Sequence, residues 1–305
     1  MLIYLKLFFT AFFWGGTFIA GKIIAKNVGP WSAAFLRFVI ASTVLLFITQ
    51  RLVGKFPKIN KKQVVPILLL GLSGIVLYNF FFFTGLKLIE AGRGALIIAT
   101  TPIFISLFST CFFKEKLTPI KGFGVLISAI GAMIVISKGD PVVILEGHLG
   151  WGEFYIFGCV LSWTTFSLIG KSVITDISPL VSITYASVAG MVGLLVPAIT
   201  EGLIQDLAIY SYTDWLSILY LGIFGTSIGF VWYYEGIKKL GPATASQFIN
   251  LVPVNAVILA FFILDEPLTK SLLVGALCVI TGVCLMNTAS PVYEKANKKT
   301  MKKVS

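Results

Sequence analysis

Two residues of this 305-residue chain are well suited to hold a polar ligand, because they stand inside long apolar stretches. Arg37 follows Pro30 by seven residues, which is about 10 Å along a helix at 1.5 Å per residue. Asn79 follows Tyr78 and precedes four consecutive phenylalanines. A guanidinium or an amide is costly to bury in such surroundings without a partner. These residue types predict hydrogen bonding to a polar solute or an anion rather than covalent chemistry.

Two interpretations of Arg37 stay open at this point. In the first, Arg37 binds an anion or gates the outer half of a central cavity. In the second, it makes a structural bond to helix-end carbonyls or to an acid, with Glu153 as the candidate partner because Glu153 also falls near the outer face. Buried ionisable groups in membrane spans have both kinds of role.

Thr100 and Thr101 precede Pro102, which has no N–H to donate to the carbonyl of Ile98. Hydroxyls beside a freed carbonyl suit the lining of a polar cavity, and we predict this role for both threonines. Helix–helix hydrogen bonding is the alternative.

A polar stripe is predicted near residue 250. Ser246, Asn250 and Pro253 follow one another at i, i+4 and i+7, and Gln247 stands beside them. On an α-helix this spacing places them on one face of an otherwise apolar segment. We predict that this face lines the cavity, with helix–helix packing as the alternative.

Trp14 and Trp163 lie well inside apolar stretches rather than at their ends. Each could form a wall of the substrate cavity or simply pack against neighbouring helices. Together with Tyr78 they complete the predicted set of cavity residues.

No catalytic residue, metal ligand or cofactor is predicted. The chain has one histidine, His148, and no HExxH pattern, so an embedded metalloenzyme lacks its ligands. Its four cysteines show no CxxC spacing and suit small packed residues. The expected partners are a small-molecule substrate and the lipid bilayer, without nucleic acid. The oligomeric state stays open, with a monomer among the possibilities.

The elements that must position these residues are membrane-spanning helices. Apolar residues make up 57% of the chain and charged residues 12%, about half the share usual in soluble domains. Stretches of about 20 apolar residues predict spans, which must be helical for the backbone to be satisfied in lipid. Ten are predicted, at 3–22, 31–50, 64–86, 91–113, 119–138, 149–170, 178–199, 214–235, 243–264 and 268–288.

The net charge of +11 is mainly a topological signal. With ten spans, 17 of the 24 lysines and arginines fall on the side of both termini, six fall on the other side, and Arg37 lies within a span. This bias predicts that both termini are cytoplasmic, in the plasma (inner) membrane. The surplus charge therefore gives no support for nucleic-acid binding.

The two halves of the chain repeat one another. An offset of 151 residues aligns a series of glycines, prolines and acids, and an offset of 149 aligns the earlier part. The matched pairs include Gly71 with Gly222, Gly85 with Gly236, Pro102 with Pro253, Glu115 with Glu266, Trp14 with Trp163 and Pro30 with Pro179. Five spans per half give the copies opposite orientations, as in many secondary transporters. We predict repeats at 1–140 and 148–289, followed by a basic cytoplasmic tail at 290–305.

Several motifs are similar to those of the EamA-type permeases of the drug/metabolite transporter superfamily. They are Phe13-Trp14-Gly15-Gly16-Thr17-Phe18, Leu36-Arg37-Phe38, Thr101-Pro102, Lys114-Glu115-Lys116-Leu117-Thr118, Leu251-Val252-Pro253 and Leu264-Asp265-Glu266-Pro267-Leu268-Thr269. The resemblance covers residues 1–290. It implies an all-helical fold with a cavity between the halves and alternating access, and it says little about the substrate.

These observations predict an all-α membrane protein that is a secondary transporter and not an enzyme. Amides and hydroxyls with few charges in the spans suit a small polar metabolite, an amino acid being one candidate and export the expected direction. The alternative is a cationic drug or multidrug efflux pump of the same superfamily. That alternative is weakened because no acid occurs between residues 1 and 89.

Overall fold

A computed structural model describes residues 2–54, 56, 58–101, 103–105, 108, 119–137, 139–140, 150–173, 177–240 and 248–288. All regular secondary structure in these residues is helical. The helices are α1 Leu2–Ile24, α2 Pro30–Val53, α3 Lys61–Leu70, α4 Tyr78–Leu88, α5 Ala91–Ile98, α6 Pro119–Ile136, α7 Trp151–Val173, α8 Pro179–Glu201, α9 Leu203–Asp206, α10 Tyr212–Tyr220, α11 Gly229–Leu240, α12 Leu251–Leu264 and α13 Lys270–Thr288. Two π-helical segments, π1 Gly71–Leu77 and π2 Leu221–Ile228, and one 3₁₀ turn, Phe248–Asn250, complete the set.

Six helical stretches in the described part of the chain are long and apolar enough to cross a membrane. They are Leu2–Ile24, Pro30–Val53, Lys61–Leu88, Trp151–Gly170, Pro179–Glu201 and Tyr212–Gly236. Four shorter apolar helices lie at the positions of the other predicted spans: Ala91–Ile105, Gly122–Val135, Leu251–Leu264 and Lys270–Gly282. The helical class is confirmed, whereas the count of ten spans stays a prediction.

The second long helix of each half begins in the same way. α2 starts at Pro30, after Gly29 in an extended conformation, and α8 starts at Pro179, after Ser178 in an extended conformation. Proline suits the first helical position because its missing N–H would have no partner there. These starts set the depth of Arg37 two turns further along α2.

π1 and π2 occupy corresponding positions in the two halves, since Gly71 and Gly222 are separated by the repeat offset. In π2 the hydroxyl of Thr226 donates to the carbonyl of Leu221 (2.9 Å), and the hydroxyl of Ser227 donates to the carbonyl of Gly222 (2.9 Å). π-Helical turns are rare and frequently occur at functional sites. Both π segments immediately precede the helices α4 and α11.

The packing between the halves is reciprocal. α4 packs against α7 while α11 packs against α1, and α5 packs against α7 while α12 packs against α1. α6 packs against α13 so closely that a Cβ atom on Gly131 would lie 2.7 Å from the carbonyl oxygen of Gly275. The largest buried side chains include Phe38 of α2 and Phe82 and Phe83 of α4, which belong to the main hydrophobic core.

The ends of the bundle differ in their polar contacts. We call the end that holds Lys6 and Glu235 the proximal end, and the end that holds the starts of α2, α5 and α7 the distal end. At the proximal end, Lys6 Nζ lies 2.6 Å from Glu235 Oε2. At the distal end, Lys22 Nζ of α1 donates to the carbonyls of Leu86 (2.8 Å) and Ile89 (2.6 Å), where α4 ends. This contact agrees with the usual placement of a lysine at helix-end carbonyls.

Candidate functional site

Arg37 lies at the centre of a buried polar cluster between the two halves. Its Nε donates to Thr226 Oγ1 (2.9 Å) in π2, and its Nη1 donates to Asn79 Oδ1 (2.9 Å) in the first turn of α4. Only 6% of Arg37 is exposed, and Asn79 and Thr226 are buried. One guanidinium therefore connects α2, the start of α4 and π2.

Both partners of Arg37 are oriented by their own helices. Asn79 Nδ2 donates to the carbonyl of Ile75 (2.8 Å), so its Oδ1 points away from that carbonyl and towards Arg37. Thr226 uses its hydroxyl proton for the carbonyl of Leu221, which leaves an oxygen lone pair for Arg37. The sequences of π1 and π2 thus hold two neutral acceptors in place for one buried cation.

The charge of Arg37 has no bonded carboxylate among the described residues, and its Nη2 amino group makes no hydrogen bond to them. Glu153 is not the partner of Arg37, contrary to the candidate pairing drawn from sequence. Its Oε1 lies 2.7 Å from Nη2 of Arg93, because the first turn of α7 packs beside the first turn of α5. An uncompensated buried charge is costly, and such residues are usually functional in membrane spans.

The aromatic residues of the predicted site meet around one phenylalanine. The ring centroid of Phe230 lies 5.9 Å from Trp14 and 5.8 Å from Trp163, and Tyr78 lies 5.3 Å from Trp163. Trp14 Nε1 also donates to the carbonyl of Gly225 (2.9 Å), the residue before Thr226. We call this group, Trp14, Tyr78, Trp163 and Phe230, the aromatic cluster. It adjoins the polar cluster of Arg37.

A small crevice lies beside Trp14, along the proximal half of α1. One face of α1 lines it together with residues of α11 and the 3₁₀ turn; the lining residues are Leu7, Thr10, Ala11, Trp14, Tyr233, Phe248 and Ile249. The α1 residues recur at i, i+3, i+4 and i+7, which is the spacing of a single helix face. The crevice therefore lies against one face of α1, next to Trp14 of the aromatic cluster.

Thr100 and Thr101 are buried but bond within their own segment. Thr100 Oγ1 donates to the carbonyl of Ile97 (2.6 Å), and Thr101 Oγ1 donates to the carbonyl of Ile98 (2.5 Å). Pro102 has no N–H to donate to the carbonyl of Ile98, and the hydroxyl of Thr101 donates to this carbonyl instead. No hydrogen bond between described residues links these threonines to Arg37, and their role in the cavity stays a prediction.

The polar stripe around residue 250 lies mostly outside the described residues. This applies to Ser246, to Gln247 and to the side chain of Asn250. The backbone at 248–250 is a 3₁₀ turn, and α12 begins at Leu251, so the segment is not one continuous α-helix. The physical reason is Pro253, which is best accommodated in a first helical turn, where its missing N–H costs little.

Sequence analysis missed Thr226 and Phe230. Thr226 could have been found because Gly225-Thr226-Ser227 places two hydroxyls in an apolar stretch. Phe230 could have been found because the repeat offset aligns it with Asn79. Both residues come from the second half, whereas Arg37, Tyr78 and Asn79 come from the first.

Comparisons with known proteins agree on one family. A sequence model of the EamA-like transporter family matches residues 1–137 and 150–288. The chain is 30% identical over 281 residues to the uncharacterized transporter YyaM of Bacillus subtilis (strain 168), with 92% of each chain covered. It is 29% identical over 279 residues to an uncharacterized transporter of Archaeoglobus fulgidus, which covers 91% of this chain and 95% of that relative.

The fold also occurs among solved structures, of which one crystal structure is an example. This crystal structure of a protein aligns with a TM-score of 0.67 and 19% sequence identity over 95% of this chain and 99% of the other. At this level of identity, the likeness extends to the fold alone.

Proposed function

The chain belongs to the EamA-like transporter family, and from this premise we propose that it is a secondary transporter that moves a small polar metabolite by alternating access. It is a multi-pass membrane protein with six clear spans among the described residues. The observation that carries the proposal is the buried Arg37, held by neutral groups from both halves. A site shared by two halves can face either side of the bilayer as the halves move.

The proposed architecture has ten spans in two inverted repeats, at 1–140 and 148–289, with a basic tail at 290–305. The reciprocal packing of α4 on α7 and of α11 on α1 supports it, as do the matched segments π1 and π2. The four shorter apolar helices supply the remaining crossings. We place both termini in the cytoplasm and the protein in the plasma membrane, on the strength of the basic bias of that side.

Export is the proposed direction, with the proximal end cytoplasmic. Three carboxylates of the second half bind the first half at the distal end. Glu201 accepts from Ser32 N (2.7 Å) at the start of α2, Glu266 accepts from Ala91 N (2.7 Å) at the start of α5, and Glu153 pairs with Arg93. We infer that these contacts close the distal end, which leaves the proximal end as the side from which the solute would enter. Outward release then requires these contacts to break.

A cationic drug or multidrug efflux pump is the alternative function. Arg37 argues against it, because an uncompensated guanidinium repels a cationic solute strongly in a medium of low dielectric constant. The aromatic cluster would suit an organic cation, but it adjoins the guanidinium, since Trp14 bonds Gly225 and Arg37 bonds the following residue, Thr226. We therefore prefer a neutral, zwitterionic or anionic solute.

Counterflow into liposomes containing the purified protein tests the proposed function. Vesicles preloaded with unlabelled amino acids, nucleosides or cationic dyes receive the corresponding labelled compound outside. We expect saturable counterflow with a polar metabolite and none with the dyes. Saturable counterflow of dyes alone would support the efflux pump, and a conductance that never saturates would rule out a carrier.

Glu201→Ala combined with Glu266→Ala is expected to loosen the distal end. Losing a helix cap costs about 1 kcal/mol, so the amides at the starts of α2 and α5 should exchange hydrogen about fivefold faster. If the distal end opens as a unit, the first turn of α10 should also exchange faster, although neither carboxylate contacts it. Mass spectrometry of peptic fragments measures both effects.

Glu90→Ala is the control for that experiment, since Glu90 is exposed at the same end and its side chain makes no cap. It should leave exchange in α2, α5 and α10 unchanged. Faster exchange confined to the two decapped helix starts would contradict a gate made of the distal carboxylates.

A further inference from the structure

We propose that Arg37 binds the carboxylate of the transported solute, so that the substrates are small molecules with a single carboxylate. This inference rests on the proposed function and narrows its substrate class. It depends on the hydrogen-bond donors of the guanidinium, on the charges around it and on a comparison with the other basic residues in the described part of the chain.

Three of the five N–H groups of the Arg37 guanidinium make no hydrogen bond to a described residue. Of its five N–H groups, one on Nε reaches Thr226 and one on Nη1 reaches Asn79. Both hydrogens of Nη2 and the second hydrogen of Nη1 make no hydrogen bond to a described residue. A carboxylate can accept from two of these donors, one on Nη1 and one on Nη2, through two parallel hydrogen bonds in the plane of the guanidinium.

Neither partner of Arg37 compensates its positive charge, because one is a hydroxyl and the other an amide. Two other basic side chains in the described residues pair with acids. Lys6 meets Glu235, and Arg93 meets Glu153. At Arg37 an amide and a hydroxyl take the place that an acid could occupy. They orient the guanidinium without neutralising it, which leaves the charge for a ligand.

A single carboxylate fits this site better than a phosphate or a dicarboxylate. Half-buried Lys22 and buried Arg93 each have their own partners. Lys22 is bonded to two carbonyls, and Arg93 to Glu153. A doubly charged group would leave one negative charge uncompensated beside the single guanidinium of this cluster. One guanidinium therefore matches one negative charge.

Matched acid and amide probes test the proposal in liposomes containing the full-length protein. The probes are leucine and leucinamide, alanine and alaninamide, and 4-methylpentanoate, which lacks the amino group of leucine. We expect labelled acid uptake to be inhibited at least about tenfold better by the unlabelled acid than by its amide. Inhibition by 4-methylpentanoate would indicate that the carboxylate alone suffices, and its absence that the amino group is also recognised.

Arg37→Gln assigns the acid preference to this residue. We expect the variant to lose the preference for acid over amide, a change that a purely structural role of Arg37 would not produce. Equal inhibition by acid and amide in the wild-type protein overturns the carboxylate assignment, as does an acid preference that persists in Arg37→Gln. If the variant does not fold, the wild-type comparison still decides. If neither acids nor amides show saturable uptake, the proposed function as a carrier of such metabolites fails instead.

Discussion

Replacing Arg93 with leucine is expected to lower the free energy of unfolding by about 3–5 kcal/mol. Arg93 Nη2 lies 2.7 Å from Glu153 Oε1, and the two side chains are 10% and 9% exposed. The substitution leaves the Glu153 carboxylate buried without its cation, which costs more than the ion pair contributes. Unfolding by SDS in mixed micelles, followed by tryptophan fluorescence, measures the loss.

The double substitution Arg93→Leu with Glu153→Leu should recover most of that stability, because it removes both charges. Lys6→Leu is the matched control. It breaks an ion pair whose side chains are 25% and 37% exposed, so its cost should stay below about 1 kcal/mol. Equal losses for Arg93→Leu and Lys6→Leu would contradict the buried character of the distal pair.

Replacing Arg37 with lysine is expected to lower the transport rate at limiting solute by about tenfold to hundredfold. Lysine keeps the charge but cannot bond Thr226, Asn79 and a solute at once with the planar geometry of a guanidinium. Arg37→Ala should be more severe, because it removes the charge as well. Initial rates of counterflow in liposomes with equal amounts of folded protein give the comparison.

Arg51→Lys provides the control on the same helix, because Arg51 is exposed near the end of α2. It should transport at the wild-type rate. Full transport by Arg37→Lys would show that only a positive charge is needed at this position, and a role that depends on the guanidinium geometry would then be wrong.

Much of the site could be predicted from residue type and local context. Arg37 and Asn79 were identifiable because a polar group in an apolar stretch needs a partner, whatever the fold. The bond between them, across 42 positions of the chain, was not predicted. Thr226 was missed altogether, since it lies 189 positions from Arg37 and its hydroxyl is directed by a π-helical turn.

The sequence by itself determined the helical class, the apolar stretches, the repeated glycines and prolines, and the family. These follow from local properties, namely the length of apolar runs and the backbone limits of glycine and proline. Only the tertiary structure decided that Glu153 forms an ion pair with Arg93 and that the charge of Arg37 is bonded to neutral partners alone among the described residues. The physical reason is that ion pairing depends on which helix ends come within a few ångströms of each other. Side-chain packing between distant segments sets those distances.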